Sequence, residues 1–240
     1  MQKNNPSFLL IETSSPVCSL AFSQGNTIID IQENDDGLKH AAKAPLFAQQ
    51  LIQKHGSPDA IVVSAGPGSY TGLRIGVSLA KGLCYGMDIP LIAIDTLQAM
   101  VNGLLLSESF DADALLIPLL DARRLEVYTA TFDINRTRLS PSKPLIVDKT
   151  TFSEALYANK KIILFGSGAK KTYETLTPKE NITLLSGKPL SATFLLNDAL
   201  TKYKLNDFED VAYFEPNYIK EFHFTPSKKN LLDLVKKKKR

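Results

Sequence analysis

The feature that most restricts the fold of this chain is a pattern that occurs twice. The segments "AIVVSAGPGSY" (60–70) and "KIILFGSGAK" (161–170) each run a short apolar strand into a pair of glycines. They stand about one hundred residues apart, and their surroundings match in kind, as in an internal duplication. Before the first lie three short strands, at 7–12, 17–23 and 27–33, joined by "TSSP" and Gln24-Gly25-Asn26. Tight turns of that sort predict an antiparallel meander. A helix follows over 39–54, then strand 59–65, helix 70–85, strand 91–94 and helix 96–106. The second copy gives strands 115–122, 125–133 and 145–147, a helix over 151–158, the 161–170 segment, strand 182–185 and helix 192–204. Glu12 and Asp121 each end a first strand, and Gly66 and Gly68 correspond to Gly166 and Gly168. Two βββαβαβα units, each a mixed sheet with helices, would leave a cleft between them. Ligands of such sheets bind at strand carboxyl ends, where Glu12, Gly66, Asp121 and Gly166 fall.

The glycine-rich stretch "SAGPGSYTGLRIG" (64–76) invites a phosphate-loop reading, and its spacing refuses one. The dinucleotide fingerprint G-x-G-x-x-G is missed by one residue, and Ile89 and Pro90 stand where its acidic partner is needed. No glycine here is followed by the Lys-Ser/Thr of a P-loop. What remains is a sharp Gly66-Pro67-Gly68 turn, with Ser69, Tyr70 and Thr71 available to cap a helix. That helix carries Gly72, Gly76, Ser78, Ala80 and Gly82. Each interior glycine costs about 1 kcal/mol relative to alanine, so the set implies close packing against another backbone, inside the fold or from a partner.

Two other clusters carry chemistry-bearing residues. "LLIETSS" sets Glu12 before Thr13, Ser14 and Ser15, a combination able to hold a hydrated cation or phosphate, or simply to form a capped surface turn. "LLDARRLEVYTATF" brings together Asp121, Arg123, Arg124 and Glu126, as a site or as a local ion pair. His40, His55 and His223 are too scattered for an obvious metal site, and Cys18 reads as a buried strand residue. Thr96 is a candidate helix cap, and no G-x-S-x-G nucleophile motif occurs.

Composition narrows the class. With 240 residues, 44% hydrophobic and 22% charged, the chain is long enough for a sizeable core. Two cysteines cannot build a disulfide framework or a zinc cage, and they point to a reducing, cytoplasmic setting. The longest apolar run, "ALLIPLL" at 114–120, is far short of the roughly 20 residues a membrane helix needs, and no signal peptide is expected. The net charge of +3 comes from the tail: "KKKKR" at 236–240 holds five of the 28 basic residues, and the other 23 stand against 25 acidic ones. The tail has two readings, attraction to RNA phosphates or a solvated end.

Taken in order, "LLIETSSPVCSLAFS", "GPGSYTGLRIGVSLAKGL", "PLIAIDTL", "LLDARRLEVYTATF" and "EPNYIKEF" (215–222) resemble the TsaB (YeaZ) family, which serves threonylcarbamoyladenosine formation in tRNA. The resemblance implies an α/β fold of duplicated ribonuclease H-like units (the actin-like ATPase superfamily), with mixed sheets flanked by helices. It suggests an N-terminal unit over 1–106, a C-terminal unit over 107–210, and a terminal segment over 211–240 with the basic tail. Phosphate hairpins of that superfamily usually carry glycine where this chain has Pro16 and Val17. The resemblance further implies a non-catalytic partner with no cofactor or metal of its own. The paralogue TsaD carries the transferase site and a metal held by an H-x-x-x-H helix motif. Here His40 is followed by Ala41, Ala42, Lys43 and Ala44.

By the same resemblance, the helices near 40–54 and 70–85 form the surface for TsaD, or for a homodimer when TsaD is absent. The ATPase TsaE would join near that junction, and tRNA would be met through the complex. The pool of partner-facing residues is Leu46, Gln49, Gln50 and Gln53 with Gly72, Leu73, Ile75, Gly76, Val77, Leu79 and Leu83. Glu12, Thr13, Ser14, Gly66, Gly68, Asp121, Gly166 and Gly168 would mark a vestigial nucleotide cleft. Three alternatives remain: an ATPase or phosphotransferase using Glu12 and Asp121, an RNA-binding module relying on the tail, and a peptidase, for which no residue set stands out.

Overall fold

A computed structural model describes residues 3–36, 39–154, 157–177 and 180–219. The first meander forms as β1 (Ser7–Glu12), β2 (Cys18–Gln24) and β3 (Thr27–Asn34). Helix α1 (His40–His55), β4 (Ala60–Gly66), α2 (Tyr70–Met87), β5 (Leu91–Asp95) and α3 (Thr96–Leu105) complete the first half. The second half contains β6 (Leu115–Asp121), β7 (Glu126–Thr129), β8 (Lys143–Ile146), β9 (Ile162–Phe165), α4 (Ala169–Thr175), β10 (Ile182–Leu184), a 3-10 turn at Ala192–Leu195 and α5 (Leu196–Leu205).

The strands make two five-stranded mixed sheets of matching order, β3-β2-β1-β4-β5 and β10-β9-β6-β7-β8. In each, the first strand of the half pairs antiparallel with the second and parallel with the fourth. β1 is central and covered on both faces, which is why its sequence is an unbroken apolar run. Leu9 and Ile11 face a cluster built with α1 and α2. Phe8 and Leu10 face the opposite way, into a core shared with α3, α5 and the second sheet. That shared core also holds Leu116, Phe132, Phe165 and Leu195, so it continues from one half into the other.

α3 and α5 cross-link the halves. Asn102 Nδ2 donates to Asp198 Oδ2 at 2.8 Å and to the Phe194 carbonyl at 3.1 Å. Gly103 lets the Phe194 ring lie against the helix: a Cβ there would stand 2.5 Å from the ring. On another element, Arg138 pairs with Asp95 at 2.8 Å and ties the 133–142 loop to the end of β5.

Several local expectations change. The α-helix expected over 151–158 is absent among its described residues, which form turns and irregular chain with Tyr157 in a 3-10 position (155–156 lie outside them). Asp148 Oδ1 accepts from the Thr150 N–H at 2.8 Å and from the Thr150 and Thr151 hydroxyls, while the Asp148 N–H donates to Thr151 Oγ1 at 3.0 Å. This is the reciprocal bonding of a capping box, so the segment opens as a helix start would and then continues as turns. Strand 125–133 shortens to β7, with Phe132 kept as an isolated bridge to Leu116. The cap of α3 is Asp95, accepting from the Gln98 N–H at 3.0 Å, and Thr96 is the first helical residue. Ser69 does cap α2, through the Gly72 N–H at 3.2 Å.

Beyond α5 the chain returns to the first half. Glu209 donates its N–H to the Leu91 carbonyl at 2.9 Å. Lys81 Nζ holds the carbonyls of Ala212 and Phe214 at 3.1 and 2.9 Å. The Asn217 N–H reaches the Ala65 carbonyl at 2.7 Å, and the Tyr218 ring lies 4.8 Å from that of Tyr70. Residues 220–222 of "EPNYIKEF", His223 and the 236–240 tail lie outside the described residues.

Candidate functional site

Two regions concentrate the singled-out residues: the strand-end turns, and the outer surface of α1 and α2. The duplication is literal at the first. Gly66 has φ +102° and Gly166 φ +101°, a left-handed conformation that side chains disfavour. Each opens the same tight exit from a parallel strand. The spaces in front of these turns are filled by the chain itself. A Cβ on Gly68 would stand 2.6 Å from the Ser14 carbonyl, and one on Gly66 would stand 2.8 Å from the Asn217 carbonyl. On the second copy, a Gly168 Cβ would meet Val127 Cγ1 at 2.7 Å, and a Gly166 Cβ the Leu119 carbonyl at 2.5 Å.

The same turn explains half of the glycine-studded helix. A Cβ on Gly72 would run into the Thr13 carbonyl, and one on Gly76 into Thr13 Oγ1. Thr13 Oγ1 donates to the Gly72 carbonyl at 2.8 Å, and the Ser69 N–H donates to the Ser14 carbonyl at 2.7 Å. Gly68, Gly72 and Gly76 thus seat the 13–14 backbone on α2. The close packing that the glycines imply lies, for these three, inside the fold.

Glu12 is wholly buried beneath this turn. Its Oε1 accepts from the Ser14 N–H and the Ser14 hydroxyl, both at 2.6 Å. Its Oε2 has no hydrogen-bond partner among the described residues, nor does the Ser64 hydroxyl. Burial raises the carboxyl above its ordinary value of 4.5, and the bonds from Ser14, with the nearby Ser64, offset this in part. The folded form therefore keeps its proton at a pH where the unfolded chain has lost it. Stability contributed by the neutral carboxyl is complete below about 4.5 and is lost as pH rises toward the folded value. Glu12→Gln is accordingly expected to match the parent at pH 4 and to be increasingly more stable than it from pH 5 upward. Urea melts across that range check this; a constant difference would refute it.

Asp121 belongs to a separate network. Burial pushes its carboxyl up, but Lys171 Nζ and the Arg123 N–H, at 2.8 Å, together hold it below 3.8. No hydrogen bond joins Glu12 to Asp121 among the described residues. His40 is buried, with Nε2 2.9 Å from the Ser15 carbonyl, so it fastens α1 to the first hairpin. Its helical neighbours Ala41, Ala42 and Ala44 offer no second ligand, and the position does not fit a metal held by two histidines of one helix. Among the described residues no group of three His, Cys, Asp or Glu side chains could hold a metal ion.

The partner pool divides by exposure. Leu73 and Val77 are buried in the protomer, with Gly72 and Gly76. Ile75, Leu79 and Leu83 are partly buried, their stems packed on the first sheet's outer cluster. Leu46 is 42% exposed, and Gln49, Gln50 and Gln53 are exposed beside it on α1. The pool leaves out Gly82, which the spacing singles out for close packing, and the spacing reading does not reach Tyr85 and Gly86. A Cβ on Gly82 or Gly86 would meet nothing within 4 Å, and Tyr85 between them is 87% exposed. These glycines have no packing reason among the described residues. Their signal was in the sequence: "KGLCYGM" continues the small-residue pattern past the part of α2 that meets Thr13.

Residues 37–232 match the family model described as TsaD, tRNA N6-adenosine threonylcarbamoyltransferase. Among curated proteins, the chain is 36% identical over 141 residues to the tRNA threonylcarbamoyladenosine biosynthesis protein TsaB of Bacillus subtilis (strain 168), a match covering 57% of this chain and 59% of that protein. It is 29% identical over 128 residues to TsaB of Escherichia coli (strain K12), covering 52% and 54%. The chain thus spans less than two thirds of the length of these relatives. Among solved structures, YeaZ from Pseudomonas aeruginosa superposes with a TM-score of 0.73 at 19% identity, over 89% of this chain and 99% of that one. A Pseudomonas aeruginosa protein described as similar to peptidase YEAZ superposes with a TM-score of 0.77, also at 19% identity, over 90% and 100%. These establish a shared fold, and the two matching sheets agree with the duplicated ribonuclease H-like architecture expected from the sequence. No helix among the described residues is long and apolar enough to cross a membrane.

Proposed function

Because the chain belongs to the tRNA N6-adenosine threonylcarbamoyltransferase (TsaD) family, with TsaB proteins as its curated relatives, we propose that it is the non-catalytic scaffold of a threonylcarbamoyl-transferring complex. In this reading TsaD transfers the threonylcarbamoyl group from an adenylate to the adenosine beside the tRNA anticodon, in the cytoplasm. This chain docks on TsaD through α1 and α2 and holds it in its active arrangement, with TsaE joining near the junction. Without TsaD the same face pairs two copies of this chain. The observation that carries the reading is the exposed face of α2, where Gly82 and Gly86 keep space open that no described residue uses. A helix bearing glycines on an unfilled face admits a second backbone closely. Leu46 and Tyr85 supply exposed apolar area on the two helices.

Each candidate for a residual active site has an intramolecular occupation that suits this role. Glu12 is closed in by Ser14, the Gly66 and Gly68 turn is occupied by Asn217 and Ser14, and His40 is tied to Ser15. Gly166, Gly168 and Asp121 lie at the equivalent exit of the second half. The domain division at 106 and 210 belongs to the same proposal, with α3 and α5 as the joint between units.

Reconstitution tests the reading. Purified TsaD, TsaE and threonylcarbamoyl donor are expected to modify tRNA only when this chain is added, and this chain with donor and tRNA alone is expected to give no product. Modification by this chain without TsaD would overturn it.

A further inference from the structure

We propose that the tip of the β6–β7 hairpin, Arg123 with Arg124, binds the phosphodiester backbone of RNA; the choice of RNA rests on the function proposed above. Both residues are left-handed, with φ +72° and +50°. Two consecutive non-glycine residues in that region are strained, whereas Asn-Gly adopts such turns readily. The strain is held by a specific device. Lys171 Nζ pairs with Asp121 and donates to the carbonyls of Arg124 at 2.9 Å and Glu126 at 2.6 Å. The Arg123 N–H donates to Asp121 Oδ1 at 2.8 Å, and the Glu126 N–H to the Arg123 carbonyl at 3.1 Å.

The charge of Lys171 is thereby consumed within the loop, and the two arginine side chains are left over. Both residues are exposed, and neither guanidinium has a partner among the described residues. Leu125 beside them is 51% exposed. A backbone fixed by four hydrogen bonds and an ion pair presents two adjacent forked donors, the geometry that matches phosphate oxygens. Apart from 236–240 the chain carries 23 basic against 25 acidic residues, so this pair is a local feature on a near-neutral body. Phosphate contacts of this kind position an RNA without reading its sequence.

The test uses the full chain, a labelled tRNA anticodon stem–loop and an unrelated stem–loop of equal length, read by fluorescence anisotropy from 0.05 to 0.3 M salt. The double variant Arg123→Asn/Arg124→Gly relieves the turn while deleting both charges. It is expected to bind both RNAs about tenfold more weakly at 0.1 M salt, with the slope of log K against log salt smaller by about 1.4–1.8. Its thermal midpoint should equal or exceed the parent's, which separates lost contacts from a damaged fold. Arg123→Lys/Arg124→Lys should retain most of the slope. An unchanged affinity and slope in the Asn-Gly variant, or no measurable RNA binding by the parent, would overturn the assignment. So would inorganic triphosphate binding at the tip without displacing RNA, which would make it a small-anion site. Co-elution with TsaD is followed in parallel and is expected to be unaffected by the variant. Loss of co-elution by the parent chain would count against the scaffold proposal, while the RNA result reads independently on this chain alone.

Discussion

Gly82→Arg is expected to leave the fold intact and weaken binding to TsaD by about 100-fold or more, some 3 kcal/mol. The argument is one of space. Among the described residues nothing lies within 4 Å of a Cβ built at Gly82, so a side chain can leave the helix there without a clash at its root. On the proposed interface it would stand where a second backbone approaches, and its charge would be buried there without a partner. Gly82→Ala gives the complementary result. Alanine favours the helix by up to about 1 kcal/mol, so the free chain should melt slightly higher. Calorimetric titration with TsaD and thermal denaturation of the free chain check the pair. An arginine variant that binds TsaD as the parent does would remove Gly82 from the interface. A variant at Leu73 is a poorer probe, because that side chain is 1% exposed and a charge there would attack the core.

Gly72→Ala, ten residues earlier on the same helix, should do the opposite. Its new methyl would overlap the Thr13 carbonyl, a backbone atom that cannot retreat. Thr13 and Ser14 are fixed on α2 by the Thr13 hydroxyl on Gly72 O and by the Ser69 N–H on Ser14 O. We expect a loss of about 3 kcal/mol, at the upper end for overpacking, and a fall in thermal midpoint of roughly 6–12 °C. Gly76→Ala clashes with the Thr13 hydroxyl instead, so Thr13→Ala should partly rescue it and should not rescue Gly72→Ala. Equal behaviour of the two double variants would show that the seat of the 13–14 turn has been misassigned.

The two glycines show how far the sequence could be read. Spacing announced that α2 packs closely against some backbone, and the structure divides that one signal into two. The Gly68–Gly76 stretch serves Thr13 and Ser14, while Gly82 and Gly86 face outward. A one-dimensional pattern carries no record of which turn crosses which part of a helix. The duplication was legible because it rests on period and turn chemistry, and Gly66 and Gly166 share the same φ to within a degree. At 151–158 Asp148, Thr150 and Thr151 do make the reciprocal bonds of a helix start, yet residues 151–154 go on as turns and irregular chain. Asn217 over Gly66, and Arg138 on Asp95, join residues far apart in the chain, and no periodicity encodes such contacts.

Hydrogen–deuterium exchange of the full chain, with and without TsaD, tests the central claim most directly. The account predicts added protection within α1 (His40–His55) and α2 (Tyr70–Met87), greatest in the outward half of α2 around Gly82–Gly86. Protection confined to the second half of the chain, with α1 and α2 exchanging as they do alone, would contradict it.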